Sequence, residues 1–407
     1  MAKRSYPAPW IFGLSCIPYG VVGSYAATVM PLIAKREHID LGGIGWLTTV
    51  FLLPSWVQFF YAPLVDVGPK RKHWLIIVSA IGALMLLGAC VTPIQGHRAL
   101  YVAFGLAAAF LSGLVSACNG GLMATLIPDE ARGKAGAWYM AGNLSGGALA
   151  MAAVLPMIDA GWSPWTYGGV LAVMMFVPSL AILWVNEPDR DHVHRLGALF
   201  GTALVDAKAV LFTRRGITGF LLFLSPVSTA ALVNFFSGMS GDYGASSRMV
   251  WFVNGWANGL LTAIGSLVGG YLCDRVNRRG MYLVAGVLTA VCGIAMALSP
   301  RNEWTYAVGV CAYFLITGVC YAAYSAAMLE TIGTGGKTAS TQYALFNSAS
   351  NIAIWWVGLV DTRFDEKWHV EGVIGADALL NILGVIVLGL VFWRFGAFRK
   401  AQPVEAA

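Results

Sequence analysis

Gly270-Tyr271-Leu272-Cys273-Asp274-Arg275-Val276-Asn277-Arg278-Arg279 ends one apolar stretch with a small residue, sets an Asp at the membrane edge and follows it with a basic run. Ala62-Pro63-Leu64-Val65-Asp66-Val67-Gly68-Pro69-Lys70-Arg71-Lys72 is a degraded copy, placed 208 positions upstream in a chain of 407. A repeat separated by half the chain predicts a duplicated membrane unit, each copy supplying one structural half.

Composition points the same way. Hydrophobic residues make up 58% of the chain and charged residues 11%, against roughly a quarter charged in soluble domains. A soluble protein this apolar could not cover itself with polar surface. The apolar stretches run to about 20 residues, the length that crosses roughly 30 Å of hydrocarbon. Twelve are predicted: 9–33, 41–64, 73–93, 99–126, 135–157, 163–185, 216–239, 247–272, 280–299, 303–329, 340–360 and 374–394. The expected fold class is an all-α membrane protein, with twelve transmembrane helices in two pseudo-symmetric six-helix bundles. Twelve crossings put both termini on one side, and 19 of the 26 Lys/Arg fall in segments on that side. That excess assigns it to the cytoplasm. The net charge of +6 therefore reflects topology and gives nucleic-acid binding no support. Met1-Ala2-Lys3-Arg4 leads into a first helix that is expected to act as its own insertion signal. The expectation is a monomer that spans the lipid bilayer of the cell (inner) membrane many times.

The longest polar interruption separates the halves: 1–186 is the first six-helix bundle, 187–215 a cytoplasmic linker and 216–407 the second bundle. Within the linker Leu196, Phe200, Leu204, Ala207 and Leu211 recur at helical spacing, which predicts an amphipathic helix along the membrane face. Gly142, Gly146 and Gly147 in the fifth span, and Gly265, Gly269 and Gly270 in the eighth, predict close backbone approach between helices.

The second loop resembles the G-x-L-x-D-R-x-x-R-R motif of the major facilitator superfamily at Gly270, Leu272, Asp274, Arg275, Arg278 and Arg279. The resemblance implies the major facilitator fold and a secondary transporter. An Asp at a helix end can pair with Arg and with a neighbouring helix terminus, so the motif is expected to latch the cytoplasmic side. The first copy keeps Leu64 and Asp66, and Lys70-Arg71 fall in register with the final basic pair, but Ala62 replaces the Gly and Val67 the first Arg. Asp66 must then find another cation, and Arg132 in the next cytoplasmic loop is the candidate.

Ala62-Pro63-Leu64-Val65-Asp66 is also similar to the W-x-P-L-x-D pattern of the AmpG-like permeases, a branch that includes acetyl-coenzyme A transporters. Gly13-Leu14-Ser15-Cys16-Ile17-Pro18 resembles that family's G-x-S-G-L-P, and Ser340-Thr341-Gln342-Tyr343-Ala344-Leu345 its A-T-Q-[FY]-A-L. The resemblance implies import of a cell-wall-derived muropeptide or similar metabolite, with protons as the coupling ion.

Polar residues inside apolar spans must face protein or a watery cavity. Tyr343, Asn347, Asn351 and Trp355 form one stripe on the eleventh span, and Tyr313, Thr317, Tyr321 and Ser325 another on the tenth, with Tyr324 beside it. Asn254 and Asn258 share a face of the eighth, Asn119, Asn143 and Asn234 are single amides in the fourth, fifth and seventh, and Tyr19 and Tyr25 flank the middle of the first. Together they predict a cavity for a polar, uncharged or partly aromatic small-molecule solute. For any single residue the alternative role is an interhelical hydrogen bond. No acidic residue is expected at a span centre; Glu330, Asp361 and Asp377 fall at or near helix ends, and Glu330 and Asp361 are the candidates for proton coupling. The missing buried Arg argues against a highly charged substrate such as acetyl-coenzyme A.

No enzyme is expected. Gly333-Thr334-Gly335-Gly336-Lys337-Thr338 lacks the first Gly of a phosphate loop, which falls on Thr331, and reads as a flexible turn. Asp191-His192-Val193-His194 has no clear third ligand for a metal. The seven Cys show no paired spacing and read as packing residues. Neither cofactor nor metal is expected. The predicted activity is secondary active transport of an organic solute by alternating access, with a siderophore or drug-like carrier as the alternative and a non-transporting membrane sensor as the alternative of another class.

Overall fold

The computed structural model describes residues 6–189, 211–333 and 338–395, with positions 201, 205, 208 and 209 between them. The predicted amphipathic linker helix lies outside the described residues, apart from isolated positions.

The first half contains α1 (Trp10–Arg36), α2 (Gly42–Trp56 with Gln58–Asp66), α3 (Arg71–Val91), α4 (Ile94–Leu126), α5 (Arg132–Asp159) and α6 (Pro164–Trp184). The second contains α7 (Arg214–Leu224, resuming at Ala231–Asn234), α8 (Ser247–Trp251, Phe252–Ala257 and Asn258–Cys273), α9 (Arg278–Leu298) and α10 (Glu303–Ile332). The last helical run, Ala339–Arg394, reverses at His369 (φ 50°) into α11 (339–368) and α12 (370–394). These elements account for the twelve predicted crossings. Each is helical for the same reason: in hydrocarbon every backbone N–H and C=O needs a partner within its own segment. Side-chain caps set several starts, with Asp40, Asn277 and Asn302 accepting from the amides of Gly43, Gly280 and Thr305.

Two spans depart from straight helices. α2 bends by 54° between Trp56 and Gln58, and the Phe59 amide at the bend donates to Ser348 Oγ in the other half at 3.2 Å. α7, expected as one helix over 216–239, is unwound at 225–230. Pro226 supplies no N–H there, and Ser228 and Ala230 both take positive φ (57° and 56°). Neighbouring helices of the same half replace the lost helical bonds: the Ser228 amide donates to Asn381 Oδ1 at 2.8 Å, Tyr282 Oη to Val227 O at 2.6 Å, and Tyr321 Oη to Thr229 O at 3.2 Å.

The predicted glycine contacts are close. A Cβ on Gly142 would lie 1.8 Å from Gly13 O in α1, and one on Gly265 would lie 2.0 Å from Leu315 O in α10. Dispersion between touching backbones holds these pairs, since lipid supplies no hydrophobic force between helices.

The apolar cores show how the halves meet. One buried cluster runs through both halves at the end carrying the loop motifs, from Ala62, Val65 and Leu122 to Cys273, Leu329 and Ala344. At the opposite end the clusters separate: one draws only on residues 21–175 and the other only on 230–374. The bundles are therefore packed together at the motif end and parted at the other.

Candidate functional site

The two loop motifs build the closed end. Asp66 is buried and accepts from Arg71 Nε at 3.0 Å and Nη2 at 2.7 Å. Its second oxygen takes the Thr341 amide at 3.0 Å and the Thr341 hydroxyl at 2.9 Å, in the first turn of α11. Arg71 Nε also donates to Ser340 Oγ at 2.8 Å, while its own amide and that of Lys72 donate to Glu187. In the second half Asp274 accepts the amides of Gly133 at 2.8 Å and Lys134 at 3.2 Å, in the first turn of α5. Each motif carboxylate thus sits on the helix N-terminus of the opposite half, where unpaired amides and the positive end of the helix dipole favour negative charge. Burial pushes the Asp274 carboxyl up, against the downward pull of the Gly133 amide and of Arg278. Gly270 admits this approach, because a Cβ there would come within 2.2 Å of the Ala137 side chain.

The cations do not distribute as expected. Asp66 is served by Arg71, five residues on, and Arg132 instead contacts Asp129 at 3.0 Å and Gly333 O at 2.8 Å. The pairing expected between Asp66 and Arg132 is thereby corrected: a residue on the same loop reaches Asp66 with no cost in chain reach. Arg278 binds Asp129 at 3.0 Å and Glu330 at 3.3 Å, Arg279 donates to Thr218 at 3.0 Å, and Arg275 lies over the Tyr271 ring at 3.9 Å. Glu330, a candidate for proton coupling, is therefore placed in the ion-pair cluster of the closed end.

Above these contacts lies a cavity of about 900 Å³ walled by both halves. Of the residues expected there, Tyr19, Asn143, Asn234, Asn254, Asn258, Tyr321, Tyr324, Asn347 and Asn351 line it. The other four lie elsewhere. Tyr25 is hydrogen-bonded to Tyr101 at 2.9 Å in the first-half core, and Asn119 is held by Ser15 at 2.6 Å. Tyr343 packs on Gly120 and edge-on to Tyr139, at 5.9 Å between ring centres. Trp355 is 46% exposed beside Trp56. Periodicity places a residue on a helix face, and here helix rotation turns one end of the α11 stripe into the closed seam and the other outward.

The cavity floor is a polar network that crosses the seam. Asn347 Nδ2 donates to Gln58 Oε1 at 2.6 Å and to Tyr19 Oη at 3.4 Å, and Tyr324 Oη donates to Asn347 Oδ1 at 3.2 Å. Gln58, which sequence reasoning passed over, also donates to Gly113 O at 2.6 Å. A lone amide in the apolar run Phe51–Tyr61 was the available signal. No Asp, Glu, Lys, Arg or His is among the described residues of the wall. The wall reaches Thr28, Leu155, Ser240 and Ser247, near the helix ends away from the motifs, so the cavity opens at that end.

Expected span ends hid two carboxylates. Asp361 and Asp377 are wholly buried, because α11 continues to residue 368 and α12 begins at 370, placing both inside their helices.

The family model described as Major Facilitator Superfamily matches residues 12–356. The chain belongs to the Major Facilitator Superfamily. Among solved structures, it resembles the human organic anion transporter MFSD10 (TM-score 0.61, 15% identity, 94% of this chain and 100% of that one). It also resembles the proton:xylose symporter XylE (0.69, 12%, 95% of each chain) and FucP in the outward conformation (0.67, 13%, 95% and 99%). These likenesses show the major facilitator fold. A curated relative, the multidrug transporter DTR1 of Candida glabrata, is 27% identical over 204 residues, which cover 47% of this chain and 37% of that protein's length.

Proposed function

We propose that this superfamily member is a secondary active transporter that moves an uncharged, polar and partly aromatic organic solute across the cell membrane by alternating access. The observation that carries the reading is the cavity, sized for a drug-like solute, walled by both halves, and lined with amides and phenols without a described charge. The positive-inside orientation puts the latches at Asp66 and Asp274 on the cytoplasmic side and the open cavity on the outer side. Protons are the proposed coupling ion, and the functional unit is a monomer with both termini in the cytoplasm.

The AmpG-like stretches favour a second reading, import of a cell-wall-derived muropeptide. Their positions limit that support. Asp66 and Thr341, from two of the stretches, bind each other in the latch, and Gly13, from the third, packs on Gly142. The shared letters thus describe moving parts rather than the solute wall. A muropeptide's carboxylates would also meet no described cation there, and unpaired buried charge is costly. A neutral siderophore-like or drug-like solute fits the wall better, in keeping with the resemblance to a multidrug transporter.

The test is uptake by reconstituted protein against a panel of muropeptides, siderophores and neutral aromatic metabolites, with and without a proton gradient. Saturable accumulation of a neutral solute is expected. Steady channel conductance without solute movement would sink the transporter reading, and saturable binding without flux would mark a sensor.

A further inference from the structure

Behind the cavity wall, α10, α11 and α12 enclose two acids. Asp361 and Asp377 stand eight residues before and eight after the reversal at His369, so at 1.5 Å per residue both lie about 12 Å from the turn and at matching depth. Asp361 is fully buried, and neither of its carboxylate oxygens has a hydrogen-bond partner. Asp377 leaves Oδ1 without one, while its Oδ2 accepts from Tyr313 Oη at 3.2 Å and Asn381 Nδ2 at 3.4 Å.

The surroundings offer no counter-charge. From α10 the titratable groups near the pair are Tyr313 and Cys320, and the Tyr282 hydroxyl of α9 is committed to Val227 O. From unwound α7, Ser228 binds Asn381 and not the acids. The nearest cations along the chain are exposed and turned elsewhere: Arg363 pairs with Glu366, and Lys367 lies over the Trp368 ring at 5.8 Å. No described Lys, Arg or His pairs with Asp361 or Asp377. Two ionised carboxylates held together here would add mutual repulsion to a desolvation cost of several kcal/mol each, and nothing described offsets either.

We propose that Asp361 and Asp377, positioned by Tyr313, form a proton-binding pair that keeps at least one proton while the cavity is open to the outside. A proton answers the geometry better than a metal ion. No described group of three or more His, Cys, Asp or Glu could hold a metal, and Asp377 Oδ2 is already turned towards hydrogen-bond donors. The route to the solute site is short. Thr317 Oγ1 donates to Tyr313 O at 2.8 Å, and Thr317 lines the cavity one helical turn from Tyr313, whose hydroxyl reaches Asp377. Rotation of α10 as the halves rock would move Tyr313 relative to Asp377 and change the affinity for the proton. This coupling role rests on the transport reading above; the bound proton does not.

The experiment therefore has two arms, both on the full-length chain. In the first, infrared difference spectra of purified protein are recorded across steps of pH, and separately across steps of sodium at fixed pH. The expected result is a protonated-carboxyl C=O band in the wild type that responds to pH, ignores sodium, is missing from Asp361→Asn/Asp377→Asn, and changes frequency in Tyr313→Phe. The amide is nearly isosteric with the neutral acid, and the wild-type spectra alone suffice if the double variant fails to fold. No such band, a band that survives in the folded double variant, or a band driven by sodium overturns the proposal. In the second arm, proteoliposomes are given whichever panel solute the wild type accumulates. The ratio of uptake with a proton gradient to uptake without one should fall towards one in Asp361→Asn. A ratio equal to the wild type's removes the coupling role. Absence of transport with the band present would defeat only the transport reading; transport without the band would defeat only the proton pair.

Discussion

At the residue scale, the two copies of the loop motif have come to hold the halves together by different means. In the intact copy Asp274 binds backbone amides alone, and no ion pair to it is found among the described residues. In the degraded copy Asp66 forms a buried ion pair with Arg71 at 2.7 Å and also binds Thr341 across the seam. With Val67 in place of the first motif Arg, Asp66 takes Arg71 as its cation. Removing one partner of a buried pair leaves an uncompensated charge and costs about 3–5 kcal/mol. Arg71→Met should therefore lower thermal stability in detergent by roughly that amount, and an unchanged melting profile would show that Asp66 has another cation. In the cavity, Asn351 lines the wall and donates to Asn347 O at 2.8 Å. Asn351→Leu should weaken solute binding by about tenfold, ~1.4 kcal/mol, at normal protein yield. Binding at wild-type strength would take Asn351 out of the site.

At the element scale, helices were legible and their interruptions were not. Twenty apolar residues need intrahelical bonds in lipid whatever packs beside them, so the spans followed from composition. The break in α7 depends on partners in other helices, Asn381, Tyr282 and Tyr321, which accept or supply what the unwound segment lacks. Pro226 was a visible cue, but proline alone also fits the continuous helices around Pro18 and Pro156. Ala230 carries its strain in the left-handed region at φ 56° and ψ 29°. Relief of about 1–2 kcal/mol there, less the greater freedom glycine regains on unfolding, predicts that Ala230→Gly stabilises the protein by about 0.5–1 kcal/mol. A lower midpoint in thermal unfolding would show that the segment is not held in this conformation. The same dependence on neighbours explains Asp361: the sequence marks a charge near a span end, and only the length of α11 shows that the carboxylate is enclosed.

At the scale of the molecule, one core at the motif end and two at the other leave the bundles packed together at one end and parted at the other. Two carboxylate-to-helix contacts cross between the halves at the closed end, and under the proposed alternating access both would part before the cavity opens there. Converting Asp274 to Asn keeps one amide acceptor and removes the charge–dipole term, about 0.3–1 kcal/mol at an exposed site and up to ~2 when partly buried. Asp274→Asn should thus shift the population towards the opposite state. In a background lacking the native cysteines, Ala152→Cys on the cavity wall should react with an impermeant thiol reagent from the open side, and Ala326→Cys in the closed core should not. Adding Asp274→Asn should raise the reactivity of Ala326→Cys severalfold from the cytoplasmic side; unchanged reactivity would count against Asp274 as a latch.

The sequence alone determined the membrane class, the twelve crossings and the repeat that places Asp66 and Asp274 at matching loops, since chain-local hydropathy and spacing encode these properties. It also marked most of the amides and phenols on the cavity wall, because a polar residue in an apolar span must face away from lipid. Tertiary structure decided which cation serves Asp66, which end of each polar stripe faces the cavity, and that the Asp361 carboxylate is enclosed without a hydrogen-bond partner. Those outcomes depend on helix rotation and on approaches between segments hundreds of residues apart, such as Asp66 to Thr341. Periodicity reports the face of a helix, but the neighbour that meets that face is set by packing.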